Sequence, residues 1–136
     1  MPTSRQQTNI DKRNEMKDLM TAVLAKGWTH AQLAALFRLS ATAIKYYAKG
    51  HSMGTNELRM TLAVLRKPAE ERKRIEKTIE RCKEIVEAKR EDLEKKAADK
   101  AYIRNTPAEV LTNYANSQMR DVDLEIKRVD ILTALL

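Results

Sequence analysis

The chain of 136 residues has one cysteine, three glycines, three prolines, one tryptophan, one phenylalanine and four tyrosines. A lone Cys82 excludes an internal disulfide framework and a cysteine-rich zinc site. Glycine and proline this sparse cannot supply the many tight turns of an all-β fold. Apolar runs are only a few residues long, which excludes a transmembrane helix and leaves no membrane partner to expect. The opening stretch MPTSRQQTNIDKRN lacks the apolar segment of a secretory signal, so a cytoplasmic location is expected. No glycine-rich phosphate loop, metal-ligand set or nucleophile–base pair stands out. The sequence therefore predicts neither catalysis nor a cofactor, and it names no small-molecule effector.

Charge is what the chain has in abundance. There are 26 Lys and Arg against 19 Asp and Glu, a net charge of +7. Residues 1–67 hold 11 of the basic residues and only four of the acidic ones (Asp11, Glu15, Asp18 and Glu57). Residues 68–136 hold 15 of each, so the whole excess lies in the first half. Such a division predicts that one half meets phosphate and the other meets protein.

The second half reads as two long helices. Pro68 suits a first helical turn, and Glu70 and Glu71 follow at the favourable end of the helix dipole. No glycine or proline interrupts from there to about Ile103. Ile75, Ile79, Cys82 and Val86 form a narrow stripe at coiled-coil spacing, which Lys89 interrupts. Thr106, Pro107 and Glu109 have the pattern of an N-cap, a first-turn proline and a capping-box partner. A second helix then runs to the C-terminus with Val110, Leu111, Tyr114, Ala115, Met119, Val122, Ile126, Val129 and Leu132 at helical spacing. The short turn predicts an antiparallel hairpin. Ile75, Ile79, Val86, Leu111, Val122, Ile126 and Val129 are its candidate dimerisation residues. The predicted fold is all-α, with a flexible basic arm over 1–11, a domain of about four helices over 12–67, and a helical hairpin for oligomerisation over 68–136.

The first half carries the sharper pattern. Residues 12–26 are amphipathic, with Met16, Leu19, Met20, Val23 and Leu24 on one face, and Gly27 ends them. Thr29 with Gln32 forms a capping-box signature, and Trp28 and Leu33 are placed as a hydrophobic staple. A short helix to about Phe37 follows. Ser40 then caps a third helix, Ala41 to Lys49, which Gly50 closes. Leu33, Ala34, Phe37, Leu39, Ile44 and Tyr47 are the expected shared inner face. Two short helices joined by about three residues have helix-turn-helix spacing.

From Thr29 to Gly50 the pattern T-x-x-x-L-A-x-x-F-x-L-S-x-x-x-I-x-x-Y-x-x-G resembles the Cro/Xre-type phage-repressor helix-turn-helix. Residues 12–26 match that family's first helix and residues 55–66 its fourth; Arg38 stands where the family commonly has glycine. Residues 43–47 are also similar to MerR-type regulators, but Gly50–Gly54 leads into a helix rather than the β-wing those proteins carry. The first resemblance implies a sequence-specific double-stranded DNA-binding transcription regulator, with helix 41–49 in the major groove. It implies base-edge contacts from Ser40, Ala41, Thr42, Lys45 and Tyr46, with Ala43 also keeping the helix close to the groove floor. It implies backbone contacts from His30, Arg38, Lys49 and His51. Arg5, Lys12 and Arg13 are candidates for a basic arm. The expected second partner is another copy of the chain, most simply as a dimer. Two alternatives stay open. One is the DNA-recognition subunit of a phage packaging (small terminase-like) or plasmid partition complex; the other is a helical scaffold that does not meet DNA.

Overall fold

The computed structural model describes residues 3–65 and 67–136. Among them the chain is all-helical, with seven helices and no strand: α1 (Ser4–Ala25), α2 (His30–Phe37), α3 (Ala41–Ala48), α4 (Asn56–Val64), α5 (Pro68–Ala98), α6 (Lys100–Asn105) and α7 (Ala108–Thr133). No helix is long and apolar enough to cross a membrane. The chain divides into two compact units, one of residues up to Ile75 together with Leu136 and the other Glu76–Leu135.

In the first unit α1 packs on α3 and α4, and α2 packs on α3. The core is the face that α1's spacing predicts: Met16, Leu19, Met20 and Val23 are buried, with Ile44, Leu58, Leu62 and Leu65 from the other helices. Burying a side chain of this size contributes roughly 1.5–3 kcal/mol. Trp28 and Leu33, the predicted staple, are both buried. The inner face of α2 is wider than predicted. Ala35 and Leu36 are buried with Leu33 and Ala34, whereas Phe37, Leu39 and Tyr47 are only half-buried.

Two local expectations need correction here. The predicted flexible arm over 1–11 is helical from Ser4 onward. Thr3 caps α1 through a reciprocal box, with Gln6 N–H donating to Thr3 Oγ1 at 3.1 Å and Thr3 N–H donating to Gln6 Oε1 at 2.8 Å. A T-x-x-Q box satisfies two otherwise orphaned N–H groups and starts the helix well before residue 12. Met1 and Pro2 lie outside the described residues. The second correction is the unit boundary, which lies at Ile75 rather than at residue 67. The first turns of α5 are tied back: Lys26 Nζ donates to Leu65 O at 2.8 Å and to Glu71 Oε2 at 3.2 Å, Arg74 pairs with Glu57 at 3.7 Å, and Ile75 is buried. Arg59, one of the 11 basic residues of the first half, is not open to a partner. It is buried, donating to the carbonyls of Met53 and Gly54 and to Asn56 Oδ1, and so fixes the loop between α3 and α4.

In the second unit α5 and α7 run antiparallel. Lys89 Nζ donates to Gln118 Oε1 at 2.9 Å and pairs with Asp121 at 3.2 Å, while Asp92, one turn later, accepts from Tyr114 and Gln118. Lys89 thus extends the seam in polar form where the sequence shows only an interruption of the stripe. The predicted helix from Pro68 to Ile103 breaks at Asp99, whose side chain accepts from Tyr102 N–H at 3.0 Å and caps α6. A short carboxylate that bonds the backbone ahead of it competes with the helical ladder. The predicted Thr106–Glu109 box does not form. Thr106 is extended, as a residue before proline prefers, and Pro107 holds the N-cap position without a side-chain bond.

The phase of α7 also differs from expectation. Val122, Glu125 and Leu132 are buried, while Met119 is 58% exposed and Ile126 is 37% exposed. The bonds of Tyr114 and Gln118 to α5 fix the rotation of α7, and steps of three and four from Gln118 reach Val122, Glu125, Val129 and Leu132. Glu125 is tolerated there because Arg128 donates to it at 2.7 Å. Consequently Ile75, Ile79, Val86 and Val122, four of the seven candidate dimerisation residues, are already buried within one chain. Leu111 and Val129 are half-buried, and only Ile126 is open.

Candidate nucleic-acid interface

The geometry of α2, its turn and α3 follows from three caps. Thr29 and Gln32 form the full capping box that starts α2, with N···O distances of 2.9 and 3.1 Å. Ser40 Oγ accepts from Ala43 N–H at 3.1 Å and starts α3. Between them Arg38 is left-handed (φ 58°, ψ 40°), and Leu39 N–H donates to Ala34 O at 2.9 Å. This six-to-one bond is the Schellman pattern that stops a helix and redirects the chain. A side chain in this conformation carries a steric cost that glycine avoids. The same pattern closes α3, where Gly50 has φ 77° and His51 N–H donates to Tyr46 O at 3.1 Å.

These stops fix which face of α3 is outward. Ile44 is buried, and Tyr47 and Ala48 are half-buried on the same side. Thr42, Lys45, Tyr46 and Lys49 are exposed and share the opposite face, Ser40 and Ala41 are exposed at the helix start, and His51 is exposed just beyond the helix end. Seven of the nine predicted contact residues are therefore open together. His30 and Arg38 are half-buried. Ala43 is half-buried too and turns partly inward rather than toward a groove floor. Tyr46 is 55% exposed, with its ring edge-on to His51 at 5.8 Å.

The charged side chains that α2, the turn and α3 themselves supply have one sign. No carboxylate occurs between Asp18 and Glu57, a stretch that contains α2, the turn and α3 entirely. Lys17, unnoticed in the sequence, joins the far end of α3: a methyl group on Gly50 would sit 3.4 Å from its Cδ. Its spacing within α1 shows only that it is exposed; the packing of α1 on α3 is what brings it here. Arg5 and Arg13 are exposed along α1, and Lys12 is half-buried. No group of three or more His, Cys, Asp or Glu residues is placed to hold a metal ion among the described residues.

The face can donate hydrogen bonds and supply cations along one helical edge. Nothing in it combines a nucleophile with a base. Comparison with protein-family models, characterised proteins and solved structures finds no match to this chain.

Proposed function

We propose that α2, the turn at Arg38–Ser40 and α3 act as a helix-turn-helix that reads double-stranded DNA, and that α5 and α7 form a hairpin joining copies of the chain. The chain is then a sequence-specific transcription regulator of repressor-like type. The observation that carries this reading is the outward row Thr42, Lys45, Tyr46 and Lys49, with Ser40 and Ala41 exposed at its N-terminal start, on a helix within a stretch of sequence, residues 19–56, that holds no carboxylate. An eight-residue helix is about 12 Å long, enough to lie in a major groove roughly 12 Å wide. Thr42 and Lys45 supply base-edge chemistry; Arg38, Lys49, His51 and His30 supply backbone contacts, with Lys17 extending them.

One helix-turn-helix buries less than the roughly 1,000–2,500 Å² typical of specific complexes, so two linked copies account better for tight binding. The test is a titration of the full chain against duplex DNA over a range of salt. Binding that weakens steeply with salt supports the reading, and no binding at low salt leaves the scaffold alternative. A packaging or partition subunit shares the interface and differs in copy number. Leu124, 48% exposed on the side of α7 away from Ile126, is the observation in its favour, because a ring needs two different contact faces. A mass of many copies selects that alternative.

A further inference from the structure

We propose that the outward face of α3 reads the C5 methyl group of a pyrimidine in the major groove, on thymine or equally on 5-methylcytosine, through Thr42 and Tyr46. This rests on reading α3 as the DNA-contacting helix and names what that helix selects. The outward row consists of two pairs at i,i+4 spacing. Lys45 and Lys49 form one edge of it, Thr42 and Tyr46 the other, and all four are exposed. The first edge is cationic. The second offers a methyl group and an aromatic ring, with a hydroxyl on each side chain.

The chemistry of the second edge narrows what it can recognise. Residues 40–51 contain no amide and no carboxylate side chain. Bidentate reading of adenine N6 and N7 takes an amide, and accepting from cytosine N4 is a carboxylate's contact. A hydroxyl pairs with donors and acceptors alike, so Thr42 and Tyr46 do not separate thymine O4 from cytosine N4. Their apolar surface does separate a pyrimidine that carries a C5 methyl from one that lacks it. Tyr46 is 55% exposed, yet its ring has a fixed neighbour: His51 lies edge-on at 5.8 Å, and His51 N–H donates to Tyr46 O at 3.1 Å. The large apolar side chain of this face is thereby held one turn from Thr42 before DNA arrives. Thr42 and Tyr46 are about 6 Å apart along the axis at 1.5 Å per residue, so each can meet a different base pair of a duplex that rises about 3.4 Å per step.

The test uses the full chain and the duplex it selects from a random pool. That duplex is remade with deoxyuridine at each thymine in turn, and with cytosine or 5-methylcytosine, paired with guanine, at each position that responds. Wild type, Thr42→Ser and Tyr46→Ala are titrated on every duplex, with circular dichroism as the control for folding. Both positions are exposed, so helicity is expected to be unchanged. Uracil is expected to weaken wild-type binding about fourfold at a responding thymine, the effect of exposing one buried carbon group. At the same position 5-methylcytosine is expected to bind about fourfold more tightly than cytosine. Thr42→Ser keeps the hydroxyl and loses the methyl, so it is expected to bind the thymine duplex more weakly and to lose the response at one thymine. Tyr46→Ala is expected to lose the response at another. A selected duplex that binds equally with uracil at every thymine, or that contains no thymine, overturns methyl reading while leaving DNA recognition standing. A uracil effect that both variants keep in full overturns the assignment to Thr42 and Tyr46. A uracil effect without a 5-methylcytosine effect overturns the claim that the methyl group decides. A pool with no enrichment overturns the DNA reading itself.

Discussion

Gly54 lies so close to Met16 that a methyl group at position 54 would sit 2.6 Å from Met16 Cε, with Leu58 Cδ2 at 3.1 Å. Met16 has no exposed surface, and Gly54 has φ +59°. The loop after α3 is thereby pressed onto α1. Gly54→Ala is expected to destabilise the first unit by about 1–3 kcal/mol, through overpacking together with left-handed strain. Urea or thermal melting measures it, and an unchanged midpoint would show that the loop yields freely.

Arg38 allows the fold and the function to be separated. It holds a left-handed position at a steric cost that glycine does not carry. Arg38→Gly removes a left-handed cost of roughly 1–2 kcal/mol and is therefore expected to raise the melting temperature. If Arg38 touches the DNA backbone, the same variant loses affinity for all sequences alike and its salt slope falls by about one ion. A more stable protein with unaltered DNA binding would remove Arg38 from the interface.

Trp28 is the only tryptophan and is 7% exposed. Its fluorescence therefore reports the first unit alone. Trp28→Ala is expected to cost about 3 kcal/mol or more, as for other large buried aromatics. Melting unchanged by the substitution would mean that the indole is not part of the core.

The second unit is expected to weaken in acid in a residue-specific way. Hydrogen bonds from Tyr114, then from Lys96, hold the Asp92 carboxyl below its ordinary value. The stability from this group is fully present above the unfolded carboxylate pKa. It is lost as pH falls through the lowered folded value. Lys96 moves the other way, raised chiefly by its bond to Asp92, so its contribution is lost only as pH rises through that raised value. Asp92→Asn should be less stable than wild type at neutral pH, and the two should converge in acid. A gap that stays constant with pH would contradict the assignment.

Much of the first unit is legible in the sequence because caps are local. Thr29, Gln32 and Ser40 need only their neighbours three residues on, and each acts as its spacing predicts. The outward face of α3 follows from Ile44 and Tyr47 pointing the other way. What the sequence hides is decided over distance. Arg59 reads as one more cation until the carbonyls of Met53 and Gly54 are seen to accept from it. Lys17 joins the candidate interface only through the packing of α1. In the second unit, periodicity gives two helices but not the rotation of α7, which depends on Tyr114 and Gln118 meeting Asp92. For that reason Met119 and Ile126, which periodicity puts on one apolar face with Val122, are found turned away from α5, with Glu125 buried beside Val122 instead.

DNA recognition by α3 is tested most directly by selecting duplexes from a random pool with the full chain. Thr42→Ala and Lys45→Ala are then titrated on the selected and on unrelated sequences. Enrichment of a two-part site is expected, with half-sites about 34 Å apart or a multiple of that. Thr42→Ala should cost about 1–3 kcal/mol on the selected site only. Lys45→Ala, if it meets phosphate, should weaken every sequence equally and lower the salt slope by about one ion. A pool that shows no enrichment, together with variants that bind as wild type does, would contradict the assignment of α3 to DNA.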